Sequence, residues 1–497
     1  MDCWGEIWMD SLDFAICGGG VGGVSIGALL AKNGQNVALF ERLGYLGGCS
    51  GTFGRNGNFY NAGATTFVGL AAGLPLDVLS RRTGVTFPVV EIDPAIVVHI
   101  MGKTVRRFRD MDRFVLEMEK AFPGYSHRSV FQKIRLRAEK FWPSLTSFDG
   151  VDQGRILSFL RPLFSRPDIF IRHSPDFFRS TLSFLQASYG AISPELKLFF
   201  DHQLLITAQG FSDHVPLFAG VLGLTYPNLD NYTVMGGMGR AIESLSQVIP
   251  EVYLNHPVKK IQKKRGRFVV TAGKDEWEAA NVILNRTIWD LDSVLDQDLL
   301  SHMRSRLKGP NFHDVGAFVI YFMVEDVFGA DFELHHQVIL EEENPVTKSQ
   351  SFFLSLSHPE DPVLSRSGMR SVTISTHTPV GIWEDRSRES ILEKRSMAMN
   401  RILESLYQAI PLFRSARKGE ILSGTPKTFE KYTGRSRGTV GGIPVVQPNF
   451  PFRFPSSVVS DGIYLVGDTV FPGQGWPGVV IGALNLFGVL RDQGRMG

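Results

Sequence analysis

The sequence predicts an α/β plus α+β protein, and three observations carry that reading. Residues 13–41 run strand, glycine turn, helix, turn, strand. A second short apolar strand, near the far end of the chain, delivers Gly467-Asp468. Between them, residues 301–455 mix strand-like runs with one long helix and show no repeat. The 497 residues, 43% hydrophobic and 21% charged, allow a large core and about two to four domains. A formal charge of +2 gives no electrostatic case for nucleic acid. Phenylalanine is over-used, 37 against 11 tyrosines and 7 tryptophans, so apolar aromatic surface must line a core, a tunnel or a membrane-facing patch.

In the first unit, Phe14 to Cys17 end in Gly18-x-Gly20-x-x-Gly23. Val24, Ala28 and Leu29 then recur at helical spacing until Gly34, and Val37 to Phe40 form a buried strand ending on Glu41. Gly18 makes the tight turn, Gly20 lets backbone approach a pyrophosphate, and Gly23 lets helix and strand pack; Gly22 belongs to the same turn. The helix N-terminus favours the negative charge of that group. Glu41 stands where an acid accepts from a ribose hydroxyl, which disfavours a 2′-phosphate and hence NADP.

Next comes a glycine-rich loop, Glu41-Arg42 followed by Gly47-Gly48-Cys49-Ser50-Gly51, then Arg55, Gly57, Phe59 and Ala62-Gly63-Ala64-Thr65. Two glycine clusters imply that backbone approaches a flat ligand in several places. This pattern resembles the FAD-binding start of the carotenoid desaturase and isomerase family. The resemblance implies that Gly47 and Gly48 contact the flavin nucleotide and adds Arg42, Ala64 and Thr65 to the candidate contacts. It also implies a two-domain, Rossmann-like FAD-binding fold of the glutathione-reductase type. The discontinuous FAD domain would take residues 1–94, 230–300 and 456–497. A mixed-sheet substrate domain, mainly antiparallel, would take 95–109 and 301–455, and a helical lid facing the membrane 110–229.

Ala95 to Phe108 read as a hairpin turning at Gly102-Lys103. Asp110 to about Tyr226 is helical by pattern, with breaks expected at Pro123-Gly124, Pro143, Pro162, Pro167, Pro175 and Pro194. Within it Arg155, Arg161, Arg166, Arg172 and Arg179 alternate with Phe159, Phe164, Phe170, Phe177, Phe178 and Phe184. That interleaving suits an anionic membrane surface. It equally suits a plain helical domain with phenylalanine inside and arginine in water. The apolar stretch Leu204 to Leu224 would line the substrate cavity or the core of the lid.

Val252 to Ile261 read as one strand leading to a hairpin at Lys264-Arg265-Gly266, partnered by Phe268 to Thr271 and Ala280 to Leu284. The resemblance, through Asn255-His256-Pro257-Val258, implies that Val258 packs near an adenine. Further on, strands are expected at Val315 to Val324, Ser351 to Leu356 and Ser371 to Thr376, with a helix from about Ser387 to Ile410. The line Gly438 to Pro444 resembles the same family again, as does Gly467-Asp468 followed by Gly473-Gln474-Gly475-Trp476-Pro477-Gly478-Val479. Asp468 can accept from ribityl hydroxyls or orient the pyrophosphate. The glycines that follow would open a helix whose positive end faces the flavin and stabilises charge on its reduced form, with Gln474, Gly475, Gly478 and Val479 as contacts.

The cysteines Cys3, Cys17 and Cys49 cannot form a disulfide framework and point to a reducing compartment. Acidic residues Asp2, Glu6 and Asp10 oppose a secretory leader, and no run of 18 apolar residues appears, so a cytoplasmic, peripherally membrane-associated protein is expected. No metal site or hydrolase is expected, His335-His336 reads as a solvated pair, and Cys49 as a small residue filling a tight loop. No catalytic side chain is assigned, because a bound flavin carries the chemistry. The family acts on long conjugated polyenes, removing hydrogen across an allylic bond or isomerising cis bonds, and related retinoid saturases run the flavin in reverse. The 62–65 and 441–444 stretches favour desaturation, with oxygen or a quinone as acceptor; the Gly473-Gln474-Gly475 step keeps isomerisation open. An FAD amine oxidase and a non-catalytic prenyl-lipid-binding protein on the same scaffold stay as alternatives. The intact glycines and Asp468 favour an enzyme.

Overall fold

The computed structural model describes residues 11–151, 160–303, 314–385, 387–450 and 453–496. Arg155 and Phe159, and the side chain of Arg161, lie outside the described residues.

Two eight-stranded sheets organise the chain. In the first, five short strands run parallel in the order Glu251–Tyr253, Val37–Phe40, Leu12–Cys17, Asp275–Leu284 and Ile463–Leu465. Leu12–Cys17 is apolar on both faces and sits between helices and sheet neighbours, as an all-parallel core demands. Its helix, Val21–Lys32, packs against the terminal helix Gly475–Asp492. Asp275–Leu284 is long because its first half pairs antiparallel with Arg267–Ala272 and its second half parallel with Ile463–Leu465. The strand expected from Val252 to Ile261 is in fact two, Glu251–Tyr253 and Val258–Lys264. Asn255, at φ 58°, and Pro257 cannot continue a ladder, and the break sends the second piece to a different neighbour.

The second sheet runs Leu422–Gly424, Val315–Glu325, Met369–Pro379, Ser351–Leu356, His335–Ile339, Ile96–Ile100 and Lys103–Arg107. The 95–108 hairpin is present, and the pair His335–Ile339 with Ile96–Ile100 is parallel while the other pairings are antiparallel, so the sheet is mixed and mainly antiparallel, as expected. His335–Ile339 is buried on both faces, which explains the missed strand: His335 and His336, expected in water, are 3% and 2% exposed. His335 Nδ1 pairs with Ser355 Oγ at 2.8 Å, and His336 Nδ1 with His99 Nε2 at 3.1 Å. The helix Arg388–Ala409 covers one face of this sheet.

The described residues between 111 and 225 are mainly helical, with Asp110, Ser180 and Ser193 accepting from the first-turn amides of their helices. Pro167 and Pro194 start helices rather than break them, because a first-turn residue needs no N–H. The lid phenylalanines divide. Phe177 and Phe184 are buried, Phe170 is half-buried, and Phe164 and Phe178 are 78% and 58% exposed.

Candidate cofactor and substrate site

The carboxyl ends of four adjacent parallel strands, Cys17, Phe40, Leu284 and Leu465, lie in register and deliver Gly18, Glu41, Asn285 and Gly467 to one place. That is where ligands bind in open α/β sheets. A cleft of about 680 Å³ opens there. Its walls include Gly18, Gly20, Gly22, Glu41, Arg42, Gly47, Gly48, Ala64, Val258, Gly467, Asp468, Gln474, Gly475 and Val479.

Three of the sequence-derived residues lie elsewhere. A Cβ on Gly23 would sit 2.1 Å from Gly18 O, so this glycine lets the helix close on the turn and does not wall the cleft. Thr65 is buried and accepts from Ser355 Oγ at 2.7 Å, which ties the 62–65 stretch to the second sheet. Gly478 lines a neighbouring apolar cavity instead.

The polar groups of the cleft are pre-positioned. Glu41 accepts from Gly19 N at Oε2 and from Leu43 N at Oε1, both at 2.8 Å, leaving acceptor capacity on each oxygen. Gly18 adopts φ +112°, and a side chain there would meet Asn285 O at 2.8 Å. Asp468 is bound by a residue absent from the sequence reading: Arg435 Nη1 lies 2.9 Å from Oδ2 and 3.1 Å from Oδ1. Burial alone would weaken the charge of Arg435, but Asp468, Cys49 and Asp290 outweigh it and its pKa is raised. Asn285 was also missed, although it directly follows the apolar run Ala280 to Leu284 and strand ends are where such sites form. Nothing in spacing marks Arg435, three residues before Gly438.

Burial pushes the Cys17 thiol up to about 12 and the Cys49 thiol upward as well, so neither is a ready nucleophile, in keeping with Cys49 as loop filler. The string Gly23-Val24-Ser25-Ile26-Gly27 has nucleophile-elbow spacing, but Ser25 is wholly buried inside a helix and is not presented on a turn. Among the described residues no His, Cys, Asp and Glu cluster could hold a metal.

The second cavity, about 260 Å³, is walled by Val68, Trp142, Leu145, Phe218, Leu222, Phe450, Phe471 and Ile481 among others, with no Asp, Glu, His, Lys or Arg among the described residues. Gln474, Gly475 and Trp476 wall both spaces. There the terminal helix begins, and Gln474 Nε2 donates to Thr207 O of the lid at 2.9 Å.

The model of the flavin-containing amine oxidoreductase family matches residues 21–485. The chain belongs to that family. Its members are FAD oxidoreductases, and this chain is an FAD-dependent enzyme whose cleft fits the group: a glycine turn at a helix N-terminus, an acid at the end of the second strand, and buried N–H groups without acceptors on Arg286 and Arg435. The chain is 26% identical to the chloroplastic prolycopene isomerase of Daucus carota, over 93% of this chain and 77% of that protein. It is 25% identical to a 4,4′-diapolycopen-4-al dehydrogenase of Metabacillus indicus, over 97% of each. An oxidoreductase from Methanosarcina mazei has the same fold, with a TM-score of 0.61 at 17% identity over 95% of this chain and 99% of that one. When bound, FAD supplies reversible two-electron chemistry. The protein's own part is to hold Glu41, Asp468 and the strand-end amides in place and to present a largely apolar space beside the helix start.

Proposed function

We propose that the enzyme acts on a segment of a long apolar conjugated polyene lying in the second cavity. The observation that carries this reading is the uncharged wall of that cavity where it shares Gln474, Gly475 and Trp476 with the cofactor cleft. An amine substrate would call for a carboxylate beside its cation, and none is among the described wall residues. The volume is below the usual range of ~300–1,000 Å³ for small-molecule pockets, which suits part of a chain rather than a whole molecule.

Of the two outcomes open from the sequence, the walls favour isomerisation over desaturation. Dehydrogenation releases a proton as well as a hydride, and the walls offer no carboxylate or imidazole among the described residues to take it. An isomerase returns what it borrows. Similarity to proteins named prolycopene isomerase points the same way. Desaturation is the second reading, supported by the 62–65 and 441–444 stretches and by the similarity to the dehydrogenase. The test is an anaerobic incubation with chemically reduced flavin, a cis polyene and no acceptor. Catalytic conversion to the trans form at constant mass supports isomerisation; loss of two hydrogens, dependent on oxygen or a quinone, overturns it in favour of desaturation.

We also propose that the lid docks on an anionic membrane. Phe164, Ile171 and Phe178 are 78%, 62% and 58% exposed beside the exposed Arg172, a combination that suits a lipid interface. No helix among the described residues is long and apolar enough to cross a membrane.

A further inference from the structure

We infer that Arg435 is the fixed cation that grips the diphosphate of the dinucleotide, with Asp468 as the residue that holds it in position. The inference rests on the reading that the cleft takes FAD, and it reassigns Asp468 from direct contact to positioning.

The guanidinium carries five N–H donors and no acceptor. Nε is spent on Thr439 O at 2.6 Å, and Nη1 on the Asp468 carboxylate. Nη2 is buried and has no partner among the described residues. The side chain is only 15% exposed, and it walls the cleft that also holds the glycine turn and Gly47-Gly48. A rigid cation with one unpartnered donor nitrogen in a ligand cleft is a built half-site, because leaving such a group desolvated and unpaired is unfavourable.

The position selects the diphosphate. Arg435 is anchored to Asp468, the residue after Gly467, and Gly467 N lies 3.1 Å from where a Cβ of Gly22 would stand. The salt bridge is therefore one residue along the chain from the contact with the turn, and it walls the same cleft as the helix start that favours a phosphate. The carboxylates Glu41, Asp290 and Asp468 of this cleft repel a diphosphate, and the cations that offset them are Arg42, Lys259, Arg286 and Arg435. Arg42 Nη2 donates to Lys431 O, Lys259 Nζ to Gly273 O and Arg286 Nη2 to Ser293 Oγ, all in exposed settings. Although Arg286 Nε is likewise buried without a partner among the described residues, Arg435 is the one of the four with an ion pair to a cleft carboxylate among the described residues. A planar fork suits phosphate and carboxylate together, which a lysine cannot match.

The experiment displaces FAD from the holoenzyme with ADP or adenosine and follows the fluorescence of released flavin. ADP outcompetes adenosine in the wild type through its diphosphate. In Arg435→Ala that advantage is expected to shrink about tenfold or more, and the FAD dissociation constant to rise about 10- to 100-fold. Arg435→Lys, which keeps a cation opposite Asp468, is expected to fall between the two, and it serves for the competition if Arg435→Ala does not fold by circular dichroism. An unchanged ADP advantage in a folded variant overturns the assignment even if FAD binds more weakly, since Arg435 would then act only as a structural prop. Wild-type protein that neither carries nor takes up flavin would overturn the cofactor reading itself, a failure visible before any variant is made.

Discussion

Asn285 Nδ2 donates to Gly18 O at 3.2 Å, while its own backbone N–H donates to Cys17 O at 3.0 Å. One residue at the end of the strand Asp275–Leu284 therefore braces the glycine turn of the neighbouring strand. Added Cβ atoms on Gly20 and Gly22 would each lie 2.9 Å from its amide group, and one on Gly467 3.1 Å from it, so three glycines face the same side chain. Asn285→Leu keeps much of the bulk and loses the donor, leaving Gly18 O without this hydrogen bond. The expected result is a folded protein that retains under a tenth of wild-type flavin after gel filtration, on the scale of about 1–2 kcal/mol for a lost positioned hydrogen bond. Full occupancy by the flavin absorbance ratio would remove Asn285 from the site.

The glycine turn was legible because its chemistry is local. Gly18, Gly23 and Glu41 act within a single strand-turn-helix-strand unit whose spacing the backbone dictates. Asn285 and Arg435 act across the fold, where the meeting of residues 18, 285, 435 and 468 depends on sheet order rather than on spacing. The misread strand His335–Ile339 has a different cause. A histidine pair reads as polar, yet each ring has a hydrogen-bond partner in the sheet, His335 on Ser355 and His336 on His99. In the lid, the sequence left core and surface phenylalanines unsorted because no single helical period spans several short helices.

Those histidines make acid sensitivity an expected property. Burial first of all holds His335, His202 and His99 down to about 4 and His336 to about 3, so all are neutral in the folded protein below the usual pKa of 6.5. Unfolded, each binds a proton near 6.5, so the stability they confer is complete above that pH and lost as pH falls toward 4. Each contributes a slope of up to about 1.4 kcal/mol per pH unit in that window. Urea midpoints measured from pH 7 to 5 should fall steadily, and His336→Gln should flatten the slope by roughly one proton. A midpoint constant over that range would show that these rings titrate normally.

The apolar cavity can be closed without touching the cofactor cleft. Ala219 lines the former, not the latter, and is only partly buried, so a larger side chain has room to enter. Ala219→Phe is expected to leave the flavin spectrum and content unchanged and to lower kcat/KM on a polyene at least about tenfold by blocking the approach to the helix start. Gly223 would be a poor choice, since its Cβ would stand 2.3 Å from Thr207 Oγ1 and disturb the lid. Undiminished turnover in Ala219→Phe would place the substrate elsewhere.

The two adjacent phenylalanines of the lid should respond in opposite ways. Phe177 is 7% exposed and stacks on Phe218 with centroids 4.5 Å apart, inside the core that also packs Phe141 and Phe450. Phe178, the next residue, is 58% exposed. Phe177→Ser therefore removes core packing and should lower stability by about 3 kcal/mol or more, read as a drop in Tm. Phe164→Ser with Phe178→Ser should leave Tm within a degree or two, because neither ring is buried, yet reduce sedimentation with anionic liposomes about tenfold or more, at ~25 cal/mol per Å² of apolar surface withdrawn from the interface. Arg166 adds little to this attraction, since Asp168 takes both its Nε and Nη2 at 3.0 Å. Raising salt should accordingly weaken binding only modestly, and the double serine variant should show the larger effect. Equal sedimentation of wild type and the double variant would end the docking proposal.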